Sequence, residues 1–155
     1  ARALGELPAL SHLDLSGCAL GVEGAEELAR GLAGCGQLAT LVLAEAGLGD
    51  HGAAALARAL PSLPRLTSLC LRRNALHAPG VLALCDALPS AIAHLDLSHN
   101  FPGAAGFRRL AQVLPRCSAL VSALVHAAPA EEGAAGGTAT GQEAREEEEE
   151  ARLLG

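Results

Sequence analysis

Leucines return along this chain at a fixed spacing. Leu10, Leu13, Leu15 and Leu20 set a frame with His12, Asp14 and Ser16 between them. The frame returns 28 residues later at Leu38, Leu41, Leu43 and Leu48, and after another 28 at Leu66, Leu69, Leu71 and Leu76. A fourth copy follows 26 residues on with Ile92, Leu95 and Leu97, and there Pro102 replaces the last leucine. A weak fifth copy starts at Leu120, with Ala123 and Val125 in the leucine slots. Apolar residues at alternate positions predict a short strand in each copy, inner side chains toward a core and the rest toward an open face. The second half of each unit changes period. Ala25, Leu28, Ala29 and Leu32 fall at i, i+3, i+4 and i+7, as do Ala53, Leu56, Ala57 and Leu60. Val81, Leu84, Cys85 and Leu88 repeat the spacing, and so do Phe107, Leu110, Ala111 and Leu114. Each set is one stripe of an amphipathic helix, and a glycine is expected just before each helix, at Gly24, Gly52, Gly80 and Gly106.

Stacking such strand–turn–helix units forces curvature, because neighbouring strands sit about 4.8 Å apart and neighbouring helices about 10 Å apart. The expected fold is therefore an α/β solenoid, a horseshoe with parallel strands on the concave face and helices on the convex face. Cys18, Asn74 and Asn100 occupy one slot after the strand, where a polar side chain can bind the backbone of the bend. Ala46 stands in that slot in the second unit, so the polar ladder is expected to be weak there.

The copies fit L-x-x-L-x-L-x-x-[N/C]-x-L, and the run from Leu38 to Leu60 is close to consensus in both halves. The chain thus resembles the ribonuclease-inhibitor-like subclass of leucine-rich repeats over roughly residues 1–120, with units like those in the receptor arm of NOD-like innate immune receptors. The resemblance implies a non-catalytic module that binds another protein, as a scaffold or ligand-sensing arm, through its concave face. A second resemblance is to GTPase-activating proteins for the small GTPase Ran. These join such a solenoid to an acidic C-terminal region and use a loop arginine, for which Arg72 or Arg73 stands nearest.

Composition sharpens this picture. Half of the residues are apolar, yet Phe101 and Phe107 are the only aromatic residues, so leucine and alanine must fill the core. The net charge of -6 lies wholly in residues 129–155, which hold eight Glu and two Arg, while residues 1–128 balance nine acidic against nine basic residues. A body without net positive charge is a poor partner for nucleic acid. The five cysteines, 18, 35, 70, 85 and 117, are odd in number and form no C-x-x-C pair. That argues for reduced thiols in the cytoplasm or nucleus. No apolar run is long enough to span a bilayer, and we assign no cofactor and no metal.

Residues 1–128 read as about four to five repeats that start mid-repeat, because Ala1–Leu10 matches Ala57–Leu66 at seven of ten positions. This is the mark of a stretch from a longer solenoid. Open ends would leave the protein monomeric unless they self-associate. Residues 129–155 read as a flexible acidic tail, disordered from about residue 130, with a short acidic helix over 142–154 as one option. The candidate partner-binding residues are His12, Asp14, Ser16, Thr40, Val42, Glu45, Ser68, Cys70, Arg72, Arg73, His94, Asp96, Ser98 and His99, all expected on the concave face. Arg72 and Arg73 could pair with His94, Asp96 and His99 next door; two nearby Arg could also lower the pKa of an exposed Cys70, but with no base beside it a bystander thiol is the reading. No arrangement of nucleophile and base, phosphate loop or H-E-x-x-H motif is present.

Overall fold

The computed structural model describes Leu7 and residues 9–126. The expected mid-repeat start and acidic tail lie outside the described residues. Within them the chain alternates without exception: β1 (His12–Asp14), α1 (Gly21–Leu32), β2 (Thr40–Val42), α2 (Gly49–Ala59), β3 (Ser68–Cys70), α3 (Ala78–Ala87), β4 (His94–Asp96), α4 (Gly103–Val113) and β5 (Ser122–Leu124). Short 3-10 turns, Leu60–Ser62 and Leu114–Arg116, extend α2 and α4. Each carries a proline in its first two residues, which tightens the last turn and ends the helix.

The strands form one parallel sheet in chain order, β1-β2-β3-β4-β5. Equivalent residues pair throughout: Leu13 with Leu41, Leu41 with Leu69, Leu69 with Leu95, and Leu95 with Ala123. Sequential parallel strands require a crossover each time, and the helix of every unit supplies it. The frame leucines lie between sheet and helices. Leu41, Leu43, Leu48, Leu69, Leu71 and Leu76 are fully buried, whereas Leu13 and Leu15 of the first unit are only partly covered.

Gly24, Gly52, Gly80 and Gly106 do not precede the helices, as the spacing suggested; they lie inside the helices near their N-termini. Their role is close approach. A Cβ on Gly80 would stand 2.5 Å from Asp50 Oδ1 and 3.3 Å from Ala53 Cβ, so only glycine lets α3 come this near α2. The contact is used: Asp50 Oδ1 accepts hydrogen bonds from the backbone N–H of His77 (2.8 Å) and of Gly80 (3.1 Å). The N-terminus of α3, which carries no side-chain cap of its own, is thus capped by the preceding helix.

The polar ladder is present and points backward along the chain. Asn74 Oδ1 accepts from the N–H of Ala46 (3.1 Å) and of Leu48 (3.3 Å), and its Nδ2 donates to the carbonyls of Leu43 (2.7 Å) and Leu71 (3.0 Å). Asn100 repeats this one unit on, accepting from the N–H of Asn74 (2.9 Å) and Leu76 (3.1 Å) and donating to Leu71 and Leu97 carbonyls. Each asparagine therefore completes the bend of the unit before it. The gap left by Ala46 consequently falls on the first unit, not on the second, whose bend Asn74 closes. There Cys18 is exposed and holds no rung, Cys18 N–H turns back to Leu15 O at 3.3 Å, and the bond from Gly21 N–H to Ala46 O has lengthened to 3.4 Å against 3.0 Å for its counterpart Gly49 to Asn74.

Candidate binding face

The strand register lays the sheet's open side out in rows. One row is His12, Thr40, Ser68, His94 and Ser122; the next is Asp14, Val42, Cys70, Asp96 and Leu124. Main-chain bonds continue the register past the strands, from Gly17 to Ala44, Glu45 to Arg72, Arg73 to Ser98 and His99 to His126. Ser16, Ala44, Arg72, Ser98 and His126 thus form a third row, and Glu45, Arg73 and His99 line its rim. The residues expected on one face are brought together there, with the helices packed on the other side. Ser122, Leu124 and His126 belong to the same face and were not anticipated. Their signal was the weak Leu120-x-x-Ala123-x-Val125 frame, whose outward positions continue the rows.

Side-chain bonds fix much of this surface. Asp14 Oδ1 accepts from Ser16 N–H (2.9 Å) and Ser16 Oγ (2.6 Å), and Asp96 makes the same pair of bonds with Ser98 at the same lengths. These bonds stabilise the ionised carboxylate of Asp14 and hold its pKa below the usual carboxylate range, with His12 adding a smaller pull. Ser98 is folded onto Asp96 and only 6% exposed, so it supports the face and offers no free hydroxyl. His94 Nδ1 lies 2.9 Å from Ser122 Oγ.

The arginines take other partners than expected. Arg73 reaches across to Glu45, with Nη1 3.1 Å from Oε1. Both side chains are about half exposed, so the pair contributes about 0–1 kcal/mol. Asp96 is taken by Ser98 and by Cys70, whose Sγ lies 3.7 Å from Oδ2. Arg72 is half-buried in the central strand's row, and its Nε has no hydrogen-bond partner in the structure. Cys70 is half-buried, not exposed. Burial pushes its thiol above the ordinary value; the Arg72 main chain offsets this in part and the Asp96 carboxylate adds to it. The nearby arginines therefore do not activate Cys70. Glu45, Arg73 and His99 share left-handed backbone, with φ of 56°, 54° and 58°. This is a conformation that costs an L-residue about 1–2 kcal/mol, and Gly17 holds the equivalent place in the first unit.

Comparisons with known proteins agree with this architecture. The family model described as Leucine Rich repeat matches residues 7–29. Among solved structures, the leiomodin-1 actin-binding site 2 domain superposes with a TM-score of 0.69 at 18% identity, covering 99% of this chain and 91% of that one. The Caenorhabditis elegans tropomodulin C-terminal domain gives 0.67 at 12% identity, covering 99% and 96%. A search of curated proteins found no match. Repeat frame, parallel sheet, backward ladder and structural neighbours together show a leucine-rich-repeat fold, and the family model places one such repeat at residues 7–29.

Proposed function

We propose that the chain is a protein-interaction module of the ribonuclease-inhibitor-like kind, binding its partner on the concave face through the rows built on His12, Asp14 and Ser16, on Thr40, Val42 and Glu45, on Ser68, Cys70, Arg72 and Arg73, and on His94, Asp96, Ser98 and His99. Arg72 is the observation that carries this reading. Its guanidinium stands at the middle of a rigid sheet, flanked in its row by Ala44 and Ser98, with Nε unsatisfied. A buried N–H without an acceptor costs about 1–3 kcal/mol, so the side chain gains by turning its planar fork out to a partner carboxylate. The partner is thus a protein that offers an acidic side chain to a concave sheet.

Actin is the first candidate to assay, because leiomodin-1, which shares this fold, is named for an actin-binding site. The experiment compares the natural chain with Arg72→Ala and with Arg73→Ala, after circular dichroism shows equal folding. Retention of actin and of lysate proteins on immobilised chain is then measured. Loss of a partner with Arg72→Ala, and a smaller loss with Arg73→Ala, whose side chain is exposed and already paired with Glu45, is the expected result. Equal retention by all three chains sinks the concave-face reading.

A further inference from the structure

The open face is uneven in charge from one end to the other. Over β1 and β2 its ionisable groups are His12, Asp14 and Glu45; over β3 to β5 they are Arg72, Arg73, His94, Asp96, His99 and His126, with the Cys70 thiol between. The carboxylates near the arginines are already held within the sheet. Glu45 pairs with Arg73, and Asp96 accepts from Ser98 and Cys70. His94, at the other end of β4, is bonded to Ser122. Beyond the rim His77 stacks on Phe101 and faces Asp50. Arg72, His99 and His126 remain, and among the described residues none of the three makes a side-chain hydrogen bond or ion pair. The register brings them together. His99 N–H donates to His126 O at 2.7 Å, and Arg73 N–H donates to Ser98 O at 3.1 Å. Arg72, Ser98 and His126 therefore follow one another along one row, two strand spacings or about 10 Å from end to end. Ser98 is small and folded onto Asp96, so no long side chain separates the guanidinium from the His126 ring along that row.

We propose, resting on the reading that Arg72 receives a partner carboxylate, that the partner presents an acidic segment with at least two carboxylates, one seated on Arg72 and the next over His99 and His126, and that this segment binds more tightly as the histidines take up protons. Charge complementarity selects this occupant, because the groups of this half of the face that lack a partner are one arginine and two histidines. Alternate residues of an extended segment point to the same side about 6.6–6.8 Å apart, so a Glu-x-Glu spacing, with its long side chains, spans the row from Arg72 to His126. Nucleic acid is a poor occupant, since residues 1–128 carry no net positive charge. Histidine is the side chain that changes charge between about pH 5 and 8. A carboxylate held beside an imidazole favours its charged form, so binding takes up protons and affinity rises as pH falls through that range. The partner's carboxylates stay ionised down to about pH 4–5, and the Cys70 thiol, pushed up by burial, stays neutral throughout.

The probe is an acetylated, amidated peptide of three Glu-Ser repeats, with a peptide of three Gln-Ser repeats as its uncharged control. Each is titrated into the isotope-labelled full chain, and the backbone amide signals of Arg72 and Ser98 are followed by NMR at about pH 6 and about pH 7.5. The double variant His99→Asn with His126→Gln removes both rings; asparagine tolerates the left-handed backbone held at position 99. Circular dichroism checks that it folds as the natural chain does. The Glu-Ser peptide is expected to bind the natural chain about threefold or more tightly at the lower pH. In the double variant that ratio should fall to about one, with affinity at the higher pH kept. A ratio near one in the natural chain, or one unchanged in the double variant, overturns the proposal and leaves Arg72 as the binding residue. Equal binding of the Gln-Ser peptide overturns the requirement for carboxylates. Absence of Glu-Ser binding at both pH values, or binding indifferent to Arg72→Ala, removes the Arg72 reading itself.

Discussion

At the scale of single residues, the open face is set by short-range bonds that determine what each group can still do. Asp14 and Ser16 form a closed unit, so the Asp14 carboxyl titrates below the usual range. A carboxylate depressed in the folded state contributes stability above its unfolded pKa and loses it as pH falls through the folded one. Ser16→Ala should raise the Asp14 pKa toward the ordinary value, read by NMR titration of its side-chain carbon, and should leave the fold intact. The cysteines divide by burial. Burial pushes the Cys85 thiol up to about 11, and Cys35, Cys85 and Cys117 are all buried, whereas Cys18 is exposed. A thiol reagent at neutral pH should label Cys18 first, Cys70 slowly and the other three only on unfolding, which peptide mapping over time will check. Cys85 also makes the fold sensitive to alkali: its thiol is neutral in both states at neutral pH, and the unfolded chain gains by ionising it as pH rises through the ordinary thiol range toward 11.

At the scale of elements, the units are joined by bonds that one unit makes on behalf of another. Asp50 caps α3, so Asp50→Ala should cost about 1 kcal/mol, and Gly80→Ala more, because its Cβ would displace that carboxylate. Asn74→Ala would strand buried groups of two units, at about 1–3 kcal/mol for each group left unpaired. Conversely, Ala46→Asn should restore the missing rung and add about 1 kcal/mol, seen as a higher midpoint in urea. Strand positions, helix stripes and the ladder asparagines Asn74 and Asn100 were legible in the sequence, because the repeat samples the same physical environment several times; Cys18, in the same slot, holds no rung. The direction of the ladder was not. A slot repeated every 26 to 28 residues shows that a polar side chain is needed but not which neighbour it reaches, so the weak point was placed one unit too late. Cys70 and Ser98 were misread for a related reason. Alternation predicts which side of the sheet a residue faces, and both are on the expected side, but cover from adjacent Asp96 and from neighbouring rows is a property of the packed sheet.

At the scale of the whole molecule, stability should be graded. In a solenoid each unit rests only on its neighbours. The first unit has partly covered leucines, no rung from Ala46 and a lengthened bond between Gly21 and Ala46, so its amides should exchange fastest. Hydrogen exchange read by mass spectrometry should show peptides from residues 10–24 deuterating well before those from residues 66–84, a difference that Ala46→Asn narrows. Uniform protection across these units would contradict the gradient.

Because each ladder asparagine serves the bend before it, the array can be shortened from one side more safely than from the other. Removing units at the N-terminal side leaves an asparagine such as Asn74 behind with its side-chain oxygen unused, but strands no amide of the bends that remain. Removing the unit that contains Asn100 instead leaves the Asn74 and Leu76 amides without their acceptor. Anyone building longer or shorter versions of this scaffold should therefore expect the bend of each new C-terminal unit to lack its asparagine acceptor, and should supply one from whatever follows it.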